Sequence, residues 1–184
     1  MFKKHAATAT VVTDTGQVDV FLSAGEFISR KTYQWKIGQR LENDAVTRRR
    51  YVRAAESGTL RCYLLFLNHK PIAFLRGFII DDTYRYETPG FDPEYSRLSP
   101  GTALLLFALD DLMRNTACRV FDFGEGGDAV GYKKQFGNQC QNALTIDVAA
   151  PHRWYPRTLL IIQRIVNKTK NAVSGMRRVI MKNR

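Results

Sequence analysis

With only three cysteines and three histidines in 184 residues, the sequence has little material for disulfide or metal chemistry. Cys62, Cys118 and Cys140 are odd in number and far apart, each in an apolar, strand-like context, which suits buried thiols better than bridges or a metal cluster. His5, His69 and His152 are equally scattered, so no zinc-ligand spacing forms and no metal is expected. The longest uninterrupted apolar run covers residues 103–109, far short of the roughly 18 residues a membrane span needs. The start Met1-Phe2-Lys3-Lys4-His5 has no apolar signal-peptide core, and together these features predict a cytoplasmic domain. Gly124, Gly126, Gly127 and Gly131 are followed by no Gly-Lys-Ser/Thr, which excludes Walker-type nucleoside triphosphate chemistry. They suit either a loop that closes over substrate or an ordinary surface loop.

What the chain has in excess is basic charge, and it is concentrated. Of the net +11, residues 152–184 hold nine Lys/Arg and no Asp or Glu, so the rest of the protein is nearly neutral. The expected organisation is one domain over residues 9–150 and a basic amphipathic helical tail over 151–184, with Leu160, Ile162, Ile165, Val166, Val173, Met176 and Ile180 near helical spacing. Such a tail, from residue 157 onward, packs on its domain with the basic side in water, or docks a partner protein or an anionic membrane surface, which would make the domain peripheral at the inner membrane face. It also suits contact with RNA phosphates, which would show as steep salt dependence.

Along the body, alternation over residues 9–22 around Asp14-Thr15-Gly16-Gln17 predicts a hairpin or two short strands. Helices are expected over 24–36 and 44–57, the second turning Val46, Tyr51, Val52 and Ala55 to one side, with Arg48, Arg49 and Arg50 solvated. Strands over 60–67, 72–81 and 83–88 form a meander, with a turn at Asn68-His69-Lys70-Pro71. A short buried strand over 119–123, a helical turn over 132–136 and a final strand over 143–148 follow. A capped helix between two strands implies a parallel crossover within a mixed sheet.

That helix carries the most informative local signal. Ser99 as N-cap and Pro100 at the first helical position start an apolar helix whose first N–H groups have no internal partner, at the positive end of the helix dipole. Gly101 lets a backbone approach closely, and Arg97 can add a charge-assisted bond, so a phosphate or pyrophosphate fits. The same Ser-Pro-Gly start also begins ordinary capped core helices.

The segments Lys31-Thr32-Tyr33-Gln34-Trp35, Pro71-Ile72-Ala73, Phe91-Asp92-Pro93-Glu94-Tyr95, Ser99-Pro100-Gly101, Phe121-Asp122-Phe123-Gly124 and Tyr132-Lys133-Lys134-Gln135-Phe136-Gly137, in this order, resemble the CelD/BcsL-type group of the acyl-CoA N-acyltransferase (GNAT) fold, itself related to Fem-type aminoacyl transferases. The likeness covers roughly residues 18–138. Arg97-Leu98-Ser99-Pro100-Gly101-Thr102 keeps part of the Arg/Gln-x-x-Gly-x-Gly/Ala phosphate loop of the wider fold, and the second GNAT-like half usual in the group does not precede the motifs.

The resemblance implies an α/β (α+β) fold: a mixed, mostly antiparallel central sheet flanked by helices, with the basic helical extension. It implies acetyl-CoA or another acyl-CoA as co-substrate and an amine on a small molecule or glycan precursor as acceptor. Aminoacyl-tRNA-dependent transfer and a non-catalytic half-module are the alternatives. Such transfer needs a base for the amine, a donor for the carbonyl oxygen and an acid for the thiolate. Glu87, then Asp122, are the candidate bases, a backbone N–H on strand 83–88 is the oxyanion donor, and Tyr132 is the candidate acid, although a tyrosine there can equally pack on the sheet. Arg97, Leu98, Ser99, Pro100, Gly101 and Thr102 would hold the donor's pyrophosphate. Trp35, Tyr95 and Lys133 are the candidate acceptor-side residues.

Overall fold

The computed structural model describes residues 7–32, 35, 38, 40–124 and 131–141, with backbone only for Tyr132 and Lys134. The chain divides into two units, Met1–Asn138 and Gln139–Arg184, and nearly all described residues belong to the first. The expected strand at 143–148, the loop glycines Gly126 and Gly127, and the basic tail lie outside the described residues.

Strand β1 (Ala7–Val12) leads through Thr13 and Asp14 into helix α1 (Thr15–Ser29). The expected second strand of a hairpin is instead helix. Asp14 accepts a hydrogen bond from Gln17 N (3.1 Å) while Gln17 Oε1 accepts one from Thr13 N (3.0 Å). This reciprocal cap uses the residues that a turn would use, which is why the pattern misleads. Helix α1 stops at Ser29, short of the expected residue 36. Ser29 O accepts from Thr32 Oγ1 (2.8 Å), and its hydroxyl accepts from Leu41 N (3.0 Å), pinning Leu41 into the core. Helix α2 (Ala45–Glu56) is capped by Asp44 Oδ1, which accepts from Thr47 N at 2.7 Å. Of its expected apolar face only Tyr51 is fully buried, and Val46 is 68% exposed.

Strands β2 (Cys62–Leu67), β3 (Lys70–Ile80) and β4 (Thr83–Phe91) form the meander, with Asn68 and His69 both at positive φ in the first turn. A short 3-10 helix, Pro93–Leu98, then leads into helix α3 (Pro100–Asn115), strand β5 (Val120–Asp122) and helix α4 (Gly131–Phe136). The sheet order is β1-β2-β3-β4-β5, antiparallel through β4 and parallel between β4 and β5. The α3 crossover makes that last pairing parallel, as expected.

Both faces of the sheet are covered, which explains why β2 carries no charged side chain and only one hydroxyl, that of Tyr63. One face packs Cys62, Leu64, Phe74 and Phe78 against α1 and Tyr51 of α2. The other packs Tyr63, Leu65, Leu75, Tyr84 and Tyr86 against Leu104, Leu105, Ala108 and Leu112 of α3. Strand β5, expected to be buried, has Val120 half exposed, as suits a short strand paired with β4 alone among the described residues. Of the cysteines only Cys62 is buried. Cys118 is intermediate and Cys140 exposed, which corrects the expectation of three buried thiols. Among the described residues no helix is long and apolar enough to cross a membrane.

Candidate active site

Strand β4 is irregular where chemistry was expected. It pairs with β5 at Thr83, Tyr84 and Arg85, and from Glu87 to Phe91 its far edge has no strand partner among the described residues. On the β3 side, Gly77 lies opposite Tyr86 and Leu75 opposite Pro89, so Glu87 and Thr88 together face Arg76. This is a bulge, one extra residue on β4 that twists the strand and turns backbone groups away from regular pairing. The β3 position opposite Tyr86 is a glycine because a methyl group there would collide with the Tyr84 phenol.

Beyond β4 the chain reaches the start of α3 through a stiff turn. Asp92, fully buried, accepts hydrogen bonds from Glu94 N (3.2 Å) and Lys31 Nζ (2.7 Å), so it holds the turn as an Asx acceptor and is closed to other chemistry. Ser99 sits at φ 49°, ψ 50° and its side chain makes no capping bond. The hydroxyl cap expected of it is therefore absent, although its carbonyl accepts from Ala103 N at 3.0 Å. The N–H groups of Gly101 and Thr102 find no acceptor among the described residues. A Cβ on Gly101 would lie 3.4 Å from the Phe91 ring, an ordinary contact that puts this helix start beside the end of β4. Arg97 lies exposed in the last turn before this start.

These residues fit an acyl-CoA. A strand edge stripped of its partner can pair with an extended amide-bearing chain, and an uncapped helix start close to that edge can take a pyrophosphate.

Glu87 lies on the α1/α2 face of the sheet. Its Oε1 accepts from Arg50 Nη2, its Oε2 is 3.5 Å from Arg76 Nε, and its side chain is 27% exposed. Asp122, at the end of β5, is exposed and accepts from Gly124 N at 2.8 Å. Lys133 donates to Phe123 O at 2.6 Å and so ties the first turn of α4 to the end of β5. Burial lowers the Lys133 ammonium below its ordinary value, and the charge of Asp122 opposes that shift. Tyr132 opens the same turn, with its side chain outside the described residues.

Asp122, Lys133 and the backbone of Tyr132 thus gather at the end of β5, where β4 departs. The other two acceptor-side candidates lie elsewhere. Trp35 sits between the Arg30 and Arg40 guanidiniums (5.3 and 5.4 Å to its centroid), and Tyr95 packs on the α3-side core under Lys70 Nζ (5.1 Å).

Sequence reasoning missed two arginines. Arg50 was read as a solvated face, yet it reaches Glu87 and lies 4.7 Å above the Phe78 ring. Arg76 is the only charge within the apolar run Ile72–Ile80, and that isolation was a legible signal.

The fourth strand thus parts from a parallel fifth beside a helix start that has no side-chain cap. The chain belongs to the family described as acetyltransferase (GNAT) domain, whose model matches residues 4–134, and it is an enzyme of that acetyltransferase type. Its fold is similar to that of the ribosomal-protein-S18-alanine N-acetyltransferase from Escherichia coli, at 17% identity over 73% of this chain and 80% of that one, with a TM-score of 0.50. A possible acetyltransferase from Clostridium difficile 630 is similar at 11% identity, 78% and 99% coverage and a TM-score of 0.57. An aminoglycoside acetyltransferase from an uncultured soil metagenomic sample, solved with sisomicin, is similar at 7% identity, 78% and 96% coverage and a TM-score of 0.56. No curated protein matches the chain.

Proposed function

We propose that this enzyme transfers an acyl group, acetyl in the first instance, from acyl-CoA to a primary amine at the point where β4 leaves β5. The observation that carries this reading is the β4 edge from Glu87 to Phe91, which has no strand partner among the described residues, is bulged at Glu87 and Thr88, and leads through Pro93–Leu98 to a start of α3 without a side-chain cap. Acyl-CoA supplies the acyl group activated as a thioester.

Arg97, Leu98, Ser99, Pro100, Gly101 and Thr102 cradle the pyrophosphate, with the N–H groups of Gly101 and Thr102 as donors and Arg97 as counter-charge. A backbone N–H of the bulged strand donates to the carbonyl oxygen as negative charge grows on it. Glu87 accepts the proton of the amine as the C–N bond forms, and Tyr132 gives its phenolic proton to the sulfur as the C–S bond breaks. Asp122 and Lys133 hold the end of β5 and the start of α4 in place for that transfer, through Gly124 N and Phe123 O.

The acceptor is a small amine, and the motif likeness to the CelD/BcsL-type group favours an amino sugar or other glycan precursor. Trp35, held by Arg30 and Arg40, takes no part in the transfer, and Tyr95 supports the turn before α3.

Calorimetric titration with acetyl-CoA of the wild type and of Gly101→Glu tests the reading. A glutamate in the first turn suits the helix dipole, so the variant folds, yet it brings bulk and negative charge to the anion site. The expected result is micromolar binding by the wild type that weakens at least about tenfold in the variant, the loss of one charge-assisted contact. No binding by the wild type at millimolar acetyl-CoA, or equal binding by both proteins, overturns the reading.

A further inference from the structure

The cluster around Glu87 holds more positive charge and more hydrogen-bond donors than its own acceptors satisfy. Arg50 and Arg76 converge on the single carboxylate of Glu87. Arg85 lies on the same face, in register with Phe78 on one side and Asp122 on the other, so three guanidiniums stand there against two carboxylates.

Two donors deep in the cluster lack a hydrogen-bond acceptor among the described residues: the Tyr51 hydroxyl and Arg76 Nε. The Tyr51 side chain is fully buried and Arg76 keeps 17% of its side-chain surface. Burial pushes the Tyr51 phenol above its ordinary value, and its ring lies 5.5 Å from the Phe78 ring that Arg50 covers. Buried donors left unmade are costly, and with three guanidiniums against two carboxylates the cluster is short of acceptors.

Arg50 is the reachable member. Its side chain is 56% exposed, yet Glu87 on one side and the Phe78 ring on the other fix its guanidinium. Of its five N–H donors one is engaged with Glu87, and the outer ones are free to meet a ligand in the planar fork that suits carboxylate or phosphate. Arg76, by contrast, is pinned to the bulge through Thr88 Oγ1 (3.0 Å) and serves to position it.

We infer that Arg50, backed by Arg76 and Tyr51, forms an anion subsite on the α1/α2 side of the β4 bulge, so that the acceptor is an amine carrying a carboxylate or phosphate a few bonds from its nitrogen. This rests on the reading of β4 as the acyl-transfer edge, since the amine must reach Glu87 while its anionic group meets Arg50. Neutral amines lack the second anchor.

Matched amines that differ only in the anion test it: glycine against glycinamide, and 2-aminoethyl phosphate against ethanolamine. Binding of each is titrated with the wild type, Arg50→Gln and Arg49→Gln. Arg49 is the control because its guanidinium reaches only Ala45 O on its own helix. At least one anionic amine should bind the wild type about tenfold more tightly than its neutral partner, the worth of a charge-assisted hydrogen bond. Arg50→Gln should erase that preference and Arg49→Gln keep it.

Which pair shows the preference separates a carboxylate acceptor from a phosphate one. Equal binding of anionic and neutral amines, no binding by any of the four, or a preference that survives Arg50→Gln overturns the inference. Because the titrations need no acetyl-CoA, failure here with acetyl-CoA binding intact leaves the acetyltransferase reading standing. Loss of acetyl-CoA binding with the anion preference intact would do the reverse.

Discussion

Two arginine–carboxylate clusters lie on opposite faces of one sheet, and they differ in how completely they are closed. On the α3 side, Asp111 accepts from Arg61 Nε (2.7 Å), Arg61 Nη2 (2.8 Å), Tyr63 Oη (2.9 Å) and Asn115 Nδ2 (2.9 Å), with Arg61 and Asp111 only 15% and 7% exposed. Every charge is met, and the knot ties α3 to β2. On the α1/α2 side, Glu87 faces two guanidiniums, two buried donors are unmet among the described residues, and Arg50 is more than half exposed. A satisfied cluster stabilises the fold, whereas one left open beside an irregular strand keeps its donors for something that arrives.

The comparison breaks most sharply at its two carboxylates. Glu87→Gln should lower kcat by about a hundredfold or more, the usual worth of a positioned base, with little change in melting temperature. Unchanged kcat would remove Glu87 from the chemistry. Asp111→Ala should do the opposite, costing about 3 kcal/mol in denaturant unfolding because Arg61 is left buried without a partner, while KM for acetyl-CoA stays put.

Hydrogen bonds from Arg61, Asn115 and Tyr63 outweigh the burial that would raise the Asp111 carboxyl, and hold it below its ordinary value of 3.8. A depressed carboxylate contributes stability that is present above the unfolded value and is lost as pH falls through the folded one. Asp111→Asn should therefore flatten the acid side of the stability curve below about pH 4, as followed by urea melts across pH.

The two tyrosines give a finer test at equal chemistry. Tyr63→Phe removes a donor to a buried carboxylate and should cost about 1.5 kcal/mol, while Tyr51→Phe removes an unmet hydroxyl and should leave stability within about 0.5 kcal/mol or raise it. Equal losses would mean that the two clusters do not differ as described. At the small end, Val46→Glu on the exposed face of α2 should shift stability by no more than about 0.5 kcal/mol, despite the apolar residue it replaces.

Much of this architecture was legible because it is local. The meander follows from apolar strands and the Asn68-His69 turn, and the parallel β4–β5 pairing from a helix between two strands, whereas the hydroxyl cap expected of Ser99 is absent because that residue takes a left-handed conformation. The boundary of α1 was missed because Asp14 and Gln17 serve a helix cap with the same side chains that mark a turn. The α1/α2-side cluster was missed for a different reason. Arg50, Arg76 and Glu87 are brought together only when α2 packs across the sheet, and nothing in the spacing of three such residues announces it. Arg76 stands out as the lone charge in the run Ile72–Ile80, but nothing in the sequence pairs it, or Arg50, with Glu87.

Hydrogen exchange followed by mass spectrometry, with and without acetyl-CoA, tests the central claim most directly because it reports where the backbone is engaged. The account predicts new protection along β4 from Tyr86 to Phe91 and at Gly101 and Thr102, with the amides of β1 unchanged. Saturating acetyl-CoA that leaves those segments exchanging as before, or that protects another part of the sheet instead, would contradict it.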